Sequence, residues 1–229
     1  MMNMPLSAPD PLPYPGRHFD AFLFDMDGTL ITSVESANRN WTRWAEMRGL
    51  DPAYVISIMH GVRTVETMQR LGFSDPKAEA DLITRWEIED TKGIRPIAGA
   101  TDFLAGLPRD RWAIVTSAPI ALARARLAAA GIEIPPVIVT SEDVVHGKPD
   151  PTCFRIGAAR LNRDPKQCLV FEDTLAGLAA ADASGAAALA ITAAHEQALS
   201  LSHPAVRDYR GLTVAIDPEG LMIVPAANG

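Results

Sequence analysis

Carboxylates, hydroxyls and a lysine stand directly after four short apolar segments of this sequence. In chain order these groups are Asp25-Met26-Asp27, Thr116-Ser117, Thr140-Ser141 followed by Lys148, and Glu172-Asp173. If the fold brings the carboxylates into one cleft, their charges repel each other strongly, and a bound cation relieves that repulsion. Ligands that are all oxygens suit a hard ion, Mg2+ first. Lys148 and the Thr116 hydroxyl would then face an anion held by the metal, which predicts a phosphoryl-transfer site with a carboxylate nucleophile.

A parallel sheet is the element that would bring these groups together. Five continuously apolar runs of strand length cover residues 21–24, 112–115, 137–139, 168–171 and 187–191. Continuous rather than alternating apolar residues are typical of strands covered on both faces. Helical stretches lie between the runs at 120–130, 151–161 and 175–184. This alternation predicts an α/β fold with a doubly wound, Rossmann-like parallel sheet, whose ligands bind beyond the carboxyl ends of the strands.

The long gap between the first two predicted strands indicates an inserted subdomain. It contains three charged, amphipathic stretches, at 34–48, 62–71 and 77–90. A single crossover helix needs far fewer residues, so we predict a helical insert over 34–95 and a core formed by 18–33 and 96–229. Residues 1–17 carry prolines at nearly every second position after residue 8 and are predicted to be a flexible, Pro-rich tail.

Composition and charge exclude several classes of protein. The chain has 229 residues with 21 Lys+Arg and 28 Asp+Glu, a formal net charge of −7, which argues against nucleic-acid binding. No apolar stretch resembles a membrane anchor or an export signal. Cys153 and Cys168 are too few for a disulfide scaffold and lack the spacing of a zinc site, so a cytoplasmic location is predicted. The expected partner is a small metabolite; a monomer is expected and a dimer stays open.

Four motifs at the predicted strand ends resemble those of haloacid dehalogenase-like (HAD) phosphohydrolases. They are FDMDGTL at 24–30, VTS at 115–117, GKPDP at 147–151 and FEDTLAG at 171–177. The motifs occur in the order in which the family carries them. The resemblance implies that residues 34–95 form a small α-helical cap domain that closes over the site. It also implies that Asp25 attacks phosphorus to form an aspartyl-phosphate.

The same resemblance implies roles for the other motif residues. Asp27 would protonate the leaving oxygen and then activate water, Thr116 would hydrogen-bond the phosphoryl oxygens, and Lys148 would neutralise the nucleophile. The implied Mg2+ ligands are Asp25, Asp173 and the backbone carbonyl of Asp27, with Glu172 in the outer shell. Taken singly, Asp27-Gly28 fits a plain turn and Glu172-Asp173 a favourable helix N-terminus. Their joint order along the chain favours the functional interpretation.

Related chemistries of the family differ at residues that this sequence shows. Dehalogenases need no second acid after the nucleophile and bind no Mg2+, so Asp27 and Asp173 argue against them. Phosphonate hydrolases use a lysine from the insert, where this sequence has Arg63. β-Phosphoglucomutase-like enzymes carry a histidine ten residues after the acid/base aspartate, and here that position is Ala37. We therefore expect a Mg2+-dependent phosphatase, with a phosphosugar mutase as the alternative.

The insert itself contains a more specific resemblance. HGVRT at 60–64 is similar to a segment of the glycerol phosphatase and 2-deoxyglucose-6-phosphate phosphatase group. In that group the segment faces the substrate, which implies that His60 and Arg63, together with Ser117 of the core, bind a small phosphorylated polyol or sugar. The alternative for this segment is an ordinary helix N-terminus with a solvated arginine and a packed histidine.

Overall fold

A computed structural model describes residues 12–194 and 202–226 of the chain. Over these residues the strands are β1 (Ala21–Phe24), β2 (Ile31–Thr32), β3 (Arg95–Pro96), β4 (Trp112–Val115), β5 (Ile138–Val139), β6 (Cys168–Glu172), β7 (Ala187–Ile191), β8 (Ala205–Val206), β9 (Leu212–Asp217) and β10 (Gly220–Pro225). The helices are α1 (Val34–Met47), α2 (Pro52–Met59), α3 (Thr64–Arg70), α4 (Pro76–Glu89), α5 (Ala100–Ala105), α6 (Ile120–Ala129), α7 (Thr152–Arg160) and α8 (Leu175–Ser184). Short 3-10 turns lie at Ser141–Asp143 and Pro165–Gln167.

The main sheet is parallel, with the strand order β5-β4-β1-β6-β7-β8. All four residues of β1 are buried, since β1 lies between β4 and β6 and helices cover both faces of the sheet. The order reverses at β1, from which the chain continues to β4 on one side and reaches β6 on the other. This doubly wound arrangement confirms the predicted fold class and places the functional cleft at the carboxyl end of β1.

Successive residues of each strand pack into different cores on the two faces of the sheet. Phe22 and Phe24 of β1 join a core rich in aromatic rings, whereas Ala21 and Leu23 join a core of small aliphatic residues. This is the alternation that a strand geometry imposes. Phe171 of β6 stacks on Phe24 with a centroid separation of 4.4 Å, which ties the two strands that carry the acidic motifs.

Helices α1 to α4 form the predicted helical insert around a core of its own. Trp41 and Trp44 are buried there together with Met68 and Ile83, and the Trp44 indole N–H donates to Glu79 at 2.8 Å. The segments that enter and leave the insert pair as β2 and β3, antiparallel to each other. Helix α2 was not predicted, because its sequence PAYVISIM lacks the amphipathic pattern of its neighbours. The boundaries of the insert at 34 and 95 stay a prediction.

The structure shows contacts that the sequence analysis did not predict at both ends of the described chain. Residues 12–17 of the predicted tail contact the core, where the Tyr14 hydroxyl donates to the Ala188 carbonyl at 2.7 Å and the Tyr14 ring packs on Phe19. The flexibility of the tail stays a prediction. The rest of that tail lies outside the described residues. The antiparallel hairpin of β9 and β10 was not predicted. No helix within 12–194 and 202–226 is long and apolar enough to span a membrane.

Candidate active site

The ends of three neighbouring strands place the predicted catalytic side chains around one cleft. Asp25 follows β1, and its N–H donates to the Phe171 carbonyl of β6 at 2.9 Å. Thr116 follows β4, and its N–H donates to Val139 of β5 at 2.9 Å. Glu172 ends β6, and its side chain is buried. The sheet hydrogen bonds thus fix the backbone of each residue just where its side chain leaves the strand.

Lys148 reaches the cleft from the loop between β5 and α7 and is only 3% exposed. Its ammonium donates to Asp25 Oδ1 at 2.5 Å, to Glu172 Oε1 at 2.7 Å and to the Val115 carbonyl at 3.3 Å. Burial alone would lower the pKa of Lys148, but the charges of Asp25 and Glu172 outweigh it and raise that pKa above the ordinary value. The lysine is therefore a permanent cation next to the predicted nucleophile.

Asp25, Glu172 and Asp173 form a buried cluster in which one carboxylate oxygen of each lies within 4.8 Å of the others. Burial raises the pKa of Asp25 well above its ordinary value, and Glu172 and Asp173 raise it further while Lys148 lowers it. When all three carboxylates are ionised, they carry two more charges than the Lys148 ammonium offsets, and a divalent cation can supply the balance. An all-oxygen donor set of this kind fits Mg2+.

Two glycines allow these carboxylates to lie directly against the backbone. Gly28 has φ +84°, and a Cβ at that position would lie 2.0 Å from Asp173 Oδ2. A Cβ on Gly177 would lie 1.8 Å from Glu172 Oε1. The other Glu172 oxygen accepts the N–H groups of Asp173 and Thr174, both at 2.7 Å. Any larger residue at 28 or 177 would displace a member of the cluster.

Asp27 lies in the same cleft, but its side chain faces away from the three-carboxylate cluster. Its Oδ1 accepts from the Ser33 hydroxyl at 2.6 Å, and its Oδ2 accepts from Arg126 at 3.0 Å. Asp27 is not part of the group of carboxylates that could share a metal ion. Metal binding through the backbone carbonyl of Asp27 and proton transfer by its carboxylate both stay predictions.

A cavity of about 210 Å³ lies between the insert and the core, above the strand ends. Its lining includes the predicted residues Asp25, Asp27, Thr116, Ser117, Asp173 and His60. Ser117 donates to the Gly61 carbonyl of the insert at 3.2 Å, so this hydroxyl also joins the two parts of the protein. His60 contacts Asn38 through its ring at 3.1 Å. The helical insert therefore covers the catalytic groups as a cap.

Arg63 lies beside a core loop, and its predicted contact with substrate stays a prediction. It is absent from the lining of the cavity, and its guanidinium donates to the Val145 carbonyl at 2.6 Å and approaches Glu66 at 3.4 Å. Glu66 in turn accepts the N–H of Gly147 at 2.8 Å. The start of α3 thus bonds to the loop that carries Lys148.

Two charged residues of the cavity were missed by the sequence analysis. Arg126 of α6 and Glu87 of α4 are both buried and form an ion pair at 2.9 Å. Arg126 lies in the alanine-rich segment IALARARLAA, which carries no motif. Its partners Asp27 and Glu87 are 99 and 39 residues away in the chain. Arg126, Asp27 and Glu87 form a triad of charges that only the tertiary structure reveals.

Residues 19–185 match the family model of haloacid dehalogenase-like hydrolases. The chain belongs to this family. It is 36% identical to hexitol phosphatase A of Escherichia coli (strain K12), over 89% of this chain and 97% of the relative. It is 31% identical to 2-deoxyglucose-6-phosphate phosphatase 1 of Saccharomyces cerevisiae, over 79% of this chain and 82% of the relative.

A solved structure supports the same assignment. A hydrolase from Pseudomonas syringae superposes with a TM-score of 0.66 at 26% identity, over 78% of this chain and 86% of that chain. The predicted resemblance to HAD phosphohydrolases, and to 2-deoxyglucose-6-phosphate phosphatase in particular, is thereby confirmed. The chain is a HAD-type phosphatase, a hydrolase of phosphate monoesters.

Proposed function

We propose that this HAD phosphatase is Mg2+-dependent and hydrolyses a small phosphorylated polyol or sugar through a phosphorylated Asp25. The observation that carries the proposal is the buried cluster of Asp25, Lys148, Glu172 and Asp173 beneath a capped cavity. A buried carboxylate held against an ammonium is a positioned nucleophile. The cap above it excludes water and leaves room for a small ester.

Asp25 and Asp27 would divide the chemistry between them. An Asp25 oxygen attacks phosphorus, the bond from phosphorus to the ester oxygen breaks, and Asp27 gives a proton to the departing alcohol. Asp27 then takes a proton from a water molecule, whose oxygen attacks the same phosphorus and releases Asp25 with inorganic phosphate. Thr116 and Lys148 hydrogen-bond the phosphoryl oxygens and neutralise the charge that develops on them.

Asp25 and Asp173, with the backbone carbonyl of Asp27, would hold the Mg2+ ion. Glu172 fits an outer position, because its oxygens already bond to Lys148 and to the backbone N–H groups of Asp173 and Thr174. When bound, the ion supplies positive charge that lets an anionic phosphate approach the carboxylates. The net negative charge of the cluster and its close-fitting glycines support this assignment.

The relatives support the substrate class. One is named for hexitol phosphates and another for 2-deoxyglucose 6-phosphate, both small and rich in hydroxyl groups. The cavity wall offers partners for such hydroxyls in Ser117 and His60. We assign the protein to the cytoplasm, which the two free, buried cysteines fit, and expect a monomer.

Hydrolysis is favoured over a mutase reaction by Ala37. This residue lines the cavity at the position where mutase-like relatives carry a histidine, and its methyl group transfers no proton. A sugar hydroxyl waiting at the phosphorylated Asp25 would therefore find no base in that position. Water activated by Asp27 completes the reaction instead.

A panel of phosphate esters tests the proposal. Purified protein with Mg2+ is assayed for phosphate release from hexitol, hexose, 2-deoxyhexose and glycerol phosphates, and Asp25→Asn is assayed beside it. We expect the best substrate among the six-carbon esters and a loss of several powers of ten in Asp25→Asn, because an amide does not attack phosphorus. Circular dichroism controls for folding.

Two results would contradict the proposal. One is activity of Asp25→Asn within about tenfold of the wild type, which would remove Asp25 from the chemistry. The other is interconversion of hexose phosphate isomers without phosphate release, which would favour the mutase.

A further inference from the structure

A buried triad of charges connects the acid/base candidate to the cap. Arg126 is 5% exposed and donates through Nη1 to Asp27 Oδ2 at 3.0 Å and through Nη2 to Glu87 Oε1 at 2.9 Å. Asp27 follows β1, Arg126 lies on α6 of the core, and Glu87 lies on α4 of the cap. The guanidinium therefore spans the boundary between the two parts of the protein.

The geometry of Asp27 leaves its carboxylate little freedom. Ser33 donates to one oxygen at 2.6 Å, and Arg126 donates to the other at 3.0 Å. A planar guanidinium offers its N–H groups in fixed directions, so it sets the orientation of the carboxylate as well as its distance. General acid catalysis needs such control, because the acid must lie within hydrogen-bond reach of the leaving oxygen.

An ion pair that only joined the cap to the core would not need Asp27. Arg126 and Glu87 already form a bond between α6 and α4, and a buried pair of this kind adds little stability by itself. Arg126 nevertheless divides its two terminal nitrogens between Glu87 and Asp27. The shared guanidinium makes the position of Asp27 depend on the cap helix.

We propose that Arg126 is a positioning residue, which holds the Asp27 carboxylate in place for proton transfer and is itself held by Glu87 when the cap is seated. The inference rests on the proposed function, since it takes Asp27 as the acid that protonates the leaving oxygen. Arg126 thereby links cap closure to the readiness of the acid, because an open cap takes Glu87 away from Arg126 and leaves the guanidinium less firmly held against Asp27.

A pair of aryl phosphates isolates this role. Phenyl phosphate and p-nitrophenyl phosphate have nearly the same shape, but p-nitrophenolate leaves without a proton and phenolate benefits from one. The value of kcat/KM reports the step in which the ester bond breaks. A loss of acid positioning therefore slows phenyl phosphate more than p-nitrophenyl phosphate, whereas lost packing or lost substrate contacts slow both alike.

The variants are chosen so that the fold survives. Arg126→Gln alone would leave Glu87 buried and unpaired, so it is combined with Glu87→Gln, which removes both charges at nearly constant volume. Arg126→Lys is a second variant that keeps a cation near both carboxylates. Arg124→Gln is the matched control, since Arg124 lies on the same helix and is exposed.

We expect the double variant to lose roughly tenfold more activity on phenyl phosphate than on p-nitrophenyl phosphate. Arg126→Lys should fall between the double variant and the wild type, and Arg124→Gln should match the wild type on both esters. Equal losses on the two esters, or no loss beyond that of Arg124→Gln, would overturn the positioning role. If the positioning role fails in this way but Asp25→Asn is inactive, the proposed function still stands. A wild type that releases no phosphate would overturn the proposed function itself.

Discussion

At the scale of single residues, the chemistry depends on how charges are balanced in a buried space. Asp25 has lost most of its contact with water, and two further carboxylates lie beside it. Lys148 offsets part of that charge through its bonds to Asp25 and Glu172. What remains is a cleft that attracts cations and an acidic group that retains its proton more readily than a free carboxyl does.

We therefore expect Mg2+ binding to weaken as the pH falls. Burial raises the pKa of Asp25, so in the metal-free protein Asp25 keeps its proton up to a higher pH than a free carboxyl does. That proton must leave before the carboxylate oxygen can bind a cation. The Mg2+ affinity should therefore decrease by up to tenfold for each pH unit below that pKa. Calorimetric titration in buffers of different ionisation enthalpy should detect proton release on binding.

Asp25→Asn is the control for that titration. It retains the shape of the side chain but has no proton to release, so its weaker Mg2+ binding should be nearly independent of pH. If the Mg2+ affinity of the wild type does not change with pH, protons and Mg2+ do not compete for Asp25.

Single residues also show what the sequence allowed us to predict. The motifs led us to expect Asp25, Lys148 and Asp173 in one cleft, and the structure brings the three together, Asp25 and Asp173 after strands and Lys148 from the loop after β5. Their catalytic and metal-binding roles stay predictions. Cys168, which offered no disulfide partner or zinc-site spacing, is buried in the structure, and burial raises the pKa of its thiol to about 12. Arg126 was missed because nothing nearby in the chain marks it. Arg63 was predicted to bind substrate from its motif, and that role stays a prediction; in the structure its guanidinium donates to the Val145 carbonyl.

At the scale of elements, the turn after β1 sets the active-site geometry. Gly28 adopts φ +84° and lies against Asp173, so the turn needs glycine for its backbone angle and for the space beside it. Gly72, which follows α3, shares the backbone requirement with φ +80° but has open space where a Cβ would be. Comparing substitutions at the two positions therefore separates the cost of the backbone angle from the effect of the contact with Asp173.

Gly28→Ala should abolish Mg2+ binding and activity, whereas Gly72→Ala should not. Both variants place an L-residue at positive φ, which costs about 1–2 kcal/mol of stability and should lower both melting temperatures, with a further decrease in Gly28→Ala from the collision. Only in Gly28→Ala does the new methyl group collide with a carboxylate of the metal cluster. Thermal unfolding and Mg2+ titration of the two proteins measure the two effects. Equal Mg2+ affinity in both would show that Asp173 is not constrained by Gly28.

The strands of the main sheet were predictable from the sequence, because each is a short continuous run of apolar residues. The five predicted strands of the main sheet are continuous apolar runs, and the structure places each within one residue of its expected bounds. The pair β2 and β3 was not predictable, since each has two residues and is stabilised by a partner far away in the chain. The hairpin of β9 and β10 did leave a signal, a turn sequence Asp217-Pro218-Glu219-Gly220 between β-branched segments, which the sequence analysis overlooked.

At the scale of the whole molecule, several polar bonds among the described residues join the cap to the core. Ser117 bonds to Gly61, Arg63 to Val145, and Arg126 to Glu87. Polar contacts of this kind separate at less cost than an apolar interface, because water replaces the lost partners. The arrangement suits a cap that must open for each substrate and close before the ester bond breaks.

The central claim is that Asp25 carries the phosphoryl group during turnover, and one labelling experiment tests it directly. The wild type is mixed with a radiolabelled sugar phosphate and Mg2+, quenched in acid within one turnover, digested and mapped. We predict that the label is found on the peptide that contains Asp25 and is released by hydroxylamine, as an acyl phosphate is, and that Asp25→Asn takes up none. Rapid phosphate release without label on that peptide would contradict the account, because water would then attack the substrate without a covalent intermediate.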